Sequence, residues 1–226
     1  ILELGDNRLQ DLPASMKQLR TLQTLTLNFN ELTCFPEAVC ELVSLQTLVV
    51  MHNPIRSIDP RIGALVHLSV LDVSECLLTE LPDTIGQLVS LQTLIACRNS
   101  ISGLPESLLS LRKLQFCDFT ANTLRSELLP EAFPSQLESL VTLNLAHNKL
   151  TSIPRLENLS RLVTVDMTGN LVSIPPTHAQ VAMWRRLPVL KQLLLLNNPL
   201  PELPIHAAEF PPLAEMLGMV HAVLFV

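Results

Sequence analysis

The chain has 226 residues, 48% of them hydrophobic but only 4% aromatic, and a formal net charge of −6 at pH 7. Such a composition supports a long core of aliphatic side chains, and no linker-like stretch divides it, so one domain is expected over residues 1–226. The excess of acid argues against a nucleic-acid partner, no stretch approaches the ~20 apolar residues of a membrane span, and no signal peptide is visible.

In chain order, nine strand-like phrases end in a small polar residue: Asn7, Asn30, Asn53, Cys76, Asn99, Asn122, Asn148, Asn170 and Asn198. The first five intervals are 23 residues each, and the last three are 26, 22 and 28, so two later units carry insertions. Within a phrase, Leu25 and Leu27 alternate with Thr24, Thr26 and Asn28, a period of two that turns the leucines to one face of a short strand. After the strand the chain must turn inside an apolar stack, where a peptide group without a partner costs about 1–3 kcal/mol. The Asn amide can bond those groups and its neighbours along the stack, and Cys76 is the one lapse.

Each strand is followed by a phrase of the type Leu81-Pro82-Asp83-Thr84-Ile85-Gly86-Gln87-Leu88. Proline suits the first position of a helical turn, and the apolar spacing sends one stripe inward, which predicts a short helix or 3₁₀ segment. Parallel strands on an inner face and bulkier turns on an outer one make a horseshoe segment. The sixth unit is enlarged around Leu128-Leu129-Pro130-Glu131-Ala132-Phe133-Pro134. The eighth is enlarged over 177–187, which reads as a longer convex helix with Trp184 filling the added space rather than anchoring a partner. Residues 201–226 read as a degenerate last repeat or a cap. Because Ile1 falls inside a strand and 221–226 is an apolar run, the natural protein is expected to continue beyond both ends, or the two ends to pack on another chain.

The side chains between the inward leucines form columns across the strands, with neighbouring strands about 4.8 Å apart. On repeats two to six these columns hold Phe29, Val49, Met51, Val70, Ile95 and Phe116, apolar groups where water would favour polar ones, as at binding surfaces. The competing reading is that Val and Ile are simply good strand formers and that Phe29 packs sideways on its neighbour. Acids recur on alternate strands at Asp72, Asp118 and Asp166, with Glu75 and Arg98 in the adjoining column. The acids suit a basic or mixed partner, or merely keep the face soluble. They are too far apart to share one metal ion, and no cleft is implied that would set one carboxyl apart as an acid. No nucleotide, nucleophile-elbow or zinc-protease motif is present, so neither an enzyme nor a cofactor is expected. His52 and His147 share a column four strands apart and read as solvated. The five cysteines are scattered and odd in number, which fits reduced thiols in a cytoplasmic setting, whereas the sequon Asn158-Leu159-Ser160 is the sign against it.

The phrases Leu22 to Ser44 and Leu68 to Ser90 fit the leucine-rich repeat consensus. With Leu81 to Leu88 and Phe35 to Leu42, the 23-residue unit resembles the intracellular leucine-rich repeat class of Ras-suppressor, Scribble-like and plant Ras-group-related proteins. The resemblance covers nearly the whole chain and implies an α/β solenoid and a non-enzymatic adaptor. Such an adaptor binds protein partners through its concave face in signalling, polarity or cytoskeletal assemblies. The alternatives are an extracellular recognition domain and the regulatory arm of a larger enzyme.

Overall fold

The computed structural model describes residues 1–174, 184 and 186–200. Nine short strands form one open parallel sheet in strict sequence order: β1 Leu2–Glu3, β2 Thr24–Thr26, β3 Thr47–Val49, β4 Val70–Asp72, β5 Thr93–Ile95, β6 Phe116–Asp118, β7 Thr142–Asn144, β8 Thr164–Asp166 and β9 Gln192–Leu194. The register repeats without slippage, Leu25 opposite Leu48, Leu48 opposite Leu71 and Leu71 opposite Leu94. From β2 to β8 the central residue of each strand is buried and the two beside it are half-exposed, as a period of two requires. Each of the first five strands is followed by a five-residue 3₁₀ turn: Ala14–Gln18, Glu37–Glu41, Pro60–Ala64, Asp83–Gln87 and Glu106–Ser110.

Proline enters those turns one residue earlier than expected. Pro13, Pro36, Pro82 and Pro105 are extended caps whose carbonyls accept the first bond of the turn, as in Met16 N–H to Pro13 O at 2.9 Å, and only Pro60 lies inside a turn. A tight i-to-i+3 turn needs just that carbonyl, and a proline there forfeits no N–H that the turn would use. In the sixth repeat the turn shrinks to Ser126–Leu128, and Phe133 of the insertion enters the core with 2% of its surface exposed. The seventh repeat passes from β7 to β8 through turns alone, so a helical segment does not follow every strand. Of the eighth repeat's insertion only Trp184 and the end beyond it are described. Trp184 is buried against the core, in keeping with its reading as a space filler, while the enlarged helix and 201–226 lie outside the described residues.

The asparagines work as the sequence implies. Asn53 donates to the carbonyls of Leu27 and Val50 at 2.9 Å and accepts from Leu32 N–H at 3.0 Å, tying its own turn to the one before. Asn30, Asn99, Asn122, Asn148, Asn170 and Asn198 repeat the pattern. At Cys76 the thiol donates weakly to Val50 and Ser74 carbonyls, and the Ile55 N–H that an Asn would have served turns to the carbonyl of Asn53 at 2.8 Å instead.

Candidate protein-interaction surface

The in-register sheet sets every predicted surface residue on one concave wall. Val49, Met51, Val70, Asp72, Glu75, Ile95, Phe116, Asp118 and Asp166 are half-buried there, and Phe29 and Arg98 are exposed. None enters the core. Register also resolves how they alternate: Val49 lies opposite Asp72, Asp72 opposite Ile95, and Ile95 opposite Asp118, while Val70 and Phe116 each lie opposite Thr93 in the adjoining column. The apolar groups therefore form a zigzag interleaved with carboxylates, not a continuous greasy strip.

The acids have an internal task that sequence reading missed. One oxygen of Asp72 accepts from the Ser74 N–H at 2.9 Å and from its hydroxyl at 2.6 Å, while Asp118 and Asp166 accept from the N–H groups of Thr120 and Thr168 at 2.8 and 2.9 Å. A carboxylate at the strand's last position thus ties down the backbone as it leaves the sheet. The other oxygen of Asp118 reaches Asn144 at 3.4 Å. The signal was present in the sequence as Asp-x-Ser and Asp-x-Thr at equivalent places.

Beyond the strands, Phe29, His52, Glu75 and Arg98 make a ladder over four consecutive repeats. The Phe29 and His52 rings lie 4.5 Å apart, His52 Nδ1 is 3.2 Å from Glu75, and Arg98 is 3.9 Å from the other oxygen of Glu75. Phe29 does pack sideways on its neighbour, yet 41% of its surface remains exposed. His52 is correspondingly more than a solvated residue. Every member of this column, from Asp6 to Asn197, adopts a left-handed backbone, with φ of 51–56° at the eight non-glycine positions and 68° at Gly169. The turn out of each strand imposes that conformation whatever residue occupies it.

The thiols remain unpaired. Cys34 is exposed and Cys97 partly so, while Cys40, Cys76 and Cys117 are buried. Burial pushes the Cys40 thiol up to about 12 and that of Cys76 to about 11. Among the described residues no cluster of His, Cys, Asp and Glu could hold a metal ion, and no helix is long and apolar enough to cross a membrane.

A stack of parallel strands with an exposed inner wall and an asparagine-bonded core defines a solenoid whose broad surface is suited to contact with another molecule. The chain belongs to the leucine-rich repeat family: the signature described as a leucine-rich repeat region matches residues 57–212, and that described as a leucine rich repeat matches residues 1–55. A search of curated proteins gives no match. Among solved structures, a leucine-rich repeat protein of Leptospira interrogans is 33% identical with a TM-score of 0.76, over 84% of this chain and 47% of its own. The plant peptide hormone receptor RGFR1, solved with RGF2, is 31% identical with a TM-score of 0.70, over 88% of this chain and 31% of its own. TLR13, solved with ssRNA13, is 26% identical with a TM-score of 0.72, over 89% of this chain and 29% of its own. The chain thus spans less than half the length of each.

Proposed function

We propose that this chain is a non-enzymatic protein-binding module, one repeat domain that engages a partner through the concave wall of repeats two to six. The observation that carries the reading is the zigzag of Val49, Val70, Ile95 and Phe116 interleaved with Asp72 and Asp118. Aliphatic and aromatic contacts alternate there with carboxylates, which fits a partner surface of mixed apolar and basic character. Arg98 and Glu75 supply a polar margin to the same wall. No cofactor takes part, and the wall's acidity disfavours nucleic acid as its occupant. The 23-residue repeat type supports reading the module as an intracellular adaptor of the Ras-suppressor and Scribble-like kind, acting in the cytoplasm in signalling or cytoskeletal assemblies.

A binding assay with a captured partner tests this. Phe116→Ala and the paired change Asp72→Asn with Asp118→Asn are expected to weaken binding, and the asparagines keep an acceptor for the strand-exit N–H groups. Undiminished binding by both variants would remove the concave wall as the site. A second reading, an extracellular recognition domain, draws support from the exposure of Asn158 within its sequon. Expression through a secretory pathway that leaves Asn158 without sugar would dismiss it.

A further inference from the structure

The eight connectors that lead from each convex turn into the next strand form a second surface. They are stitched in register by backbone bonds of 2.8 Å, Gln46 N–H to Gln23 O, Ser69 to Gln46, and so on through Gln92, Gln115, Val141 and Val163 to Lys191. Seven steps of about 4.8 Å make a rim roughly 34 Å long on one side of the arc. Residues of several repeat columns meet there.

This rim differs in charge from the rest of the molecule. It carries Arg20, Arg112, Lys113, Arg161 and Lys191, all exposed, against one acid, Glu138, which lies 3.6 Å from Arg112. The concave wall beside it bears Glu3, Asp6, Asp72, Glu75, Asp118 and Asp166 against Arg98 alone, and the whole chain is at −6. Between Arg20 and Arg112, three successive repeats turn a valine outward at the same place: Val43, Val66 and Val89 are 47%, 41% and 54% exposed. Cations thus flank an aliphatic row.

We propose that this rim docks on an anionic lipid bilayer. Basic side chains are drawn to acidic headgroups, and the short valines between them can settle into the shallow apolar boundary below. Nucleic acid would neutralise the cations, but its backbone offers nothing to aliphatic side chains, and the rim has no Phe, Tyr or Trp, with His67 its one ring on which a base could stack. A bilayer also meets the side of an arc, which a row of in-register connectors makes even, more readily than its hollow. Docked this way, the horseshoe lies on its side and the acidic concave wall stays open for a protein partner.

Co-sedimentation of the whole chain with vesicles tests the proposal. Binding is expected to phosphatidylcholine vesicles containing phosphatidylserine but not to phosphatidylcholine alone, and to fall as salt is raised. Lys113→Glu with Arg161→Glu should reduce binding at least 25-fold, at roughly fivefold for each charge lost. Val66→Ser with Val89→Ser should reduce it at fixed charge, while Phe116→Ala on the concave wall should leave it unchanged. All these sites are at the surface, so unaltered circular dichroism melts exclude unfolding as the cause. No binding to the phosphatidylserine vesicles, binding that survives the double charge reversal, or binding to single-stranded RNA with vesicles ignored would each overturn it.

Discussion

At Cys76 the chain breaks its own rule, and the local cost can be read from one hydrogen bond. A thiol is a weak acceptor, so the Ile55 N–H closes a cramped bond onto the carbonyl of Asn53, two residues away. Cys76→Asn should supply the missing amide and raise stability by about 1 kcal/mol in denaturant unfolding. A loss on that substitution would mean that the thiol's pocket has closed around sulfur. The left-handed column makes a second test. Ala121 holds φ at 56° with no side chain that could compensate, and the left-handed region costs a non-glycine residue about 1–2 kcal/mol. Ala121→Gly is expected to gain about 1 kcal/mol, part of the relief being returned as chain entropy. An unchanged unfolding midpoint would show that the turn imposes no strain there.

Glycine placement governs how closely the convex turns approach. A Cβ at Gly86 would lie 2.3 Å from the Ser107 carbonyl oxygen in the next turn, and a Cβ at Gly63 would lie 2.2 Å from Gln87 Oε1. The first obstacle is backbone and the second is the tip of a flexible side chain. Gly86→Ala should therefore cost about 1–3 kcal/mol as neighbouring turns are forced apart, and Gly63→Ala distinctly less. Equal losses in thermal unfolding would contradict the distinction. At this scale the strands and their order were legible in advance, because an interval of 23 residues and a period of two leave little freedom for Leu25, Leu48 and Leu71. The exact seat of the prolines was not, since a proline suits both the cap whose carbonyl closes the first bond, as Pro13 does, and the first place inside the turn, which Pro60 takes one residue later in its repeat. The second use of Asp72, Asp118 and Asp166 was legible only in part: Asp-x-Ser and Asp-x-Thr recur at equivalent places, but the bonds to Ser74, Thr120 and Thr168 depend on where the strand ends.

For the whole molecule, each repeat of a one-dimensional core packs only on its neighbours, so stability is summed along the stack and ionisation inside it weakens the repeat that carries it and those beside it. Cys40 and Cys76 lie in that core among aliphatic neighbours, and desolvation disfavours their charged forms, with Cys117 raised further for the same reason. Each folded thiol therefore holds its proton above the reference value of 9.0, to about 11 for Cys76 and about 12 for Cys40. Within that window the unfolded chain has released protons that the native one retains, so the unfolded state gains as pH rises. The stabilisation is complete below 9.0 and is lost progressively through about 11 and then about 12. Tyrosine cannot confuse the experiment, because the chain has none. Unfolding in denaturant across this range should show falling stability, and a Cys40→Ala, Cys76→Asn double variant should lose less of it than the parent. The buried thiols of the native parent should meanwhile add thiolate absorbance only as the fold opens. If the double variant and the parent declined in parallel, the alkaline limit would have to come from Cys117 or from the charges at the surface, not from Cys40 and Cys76.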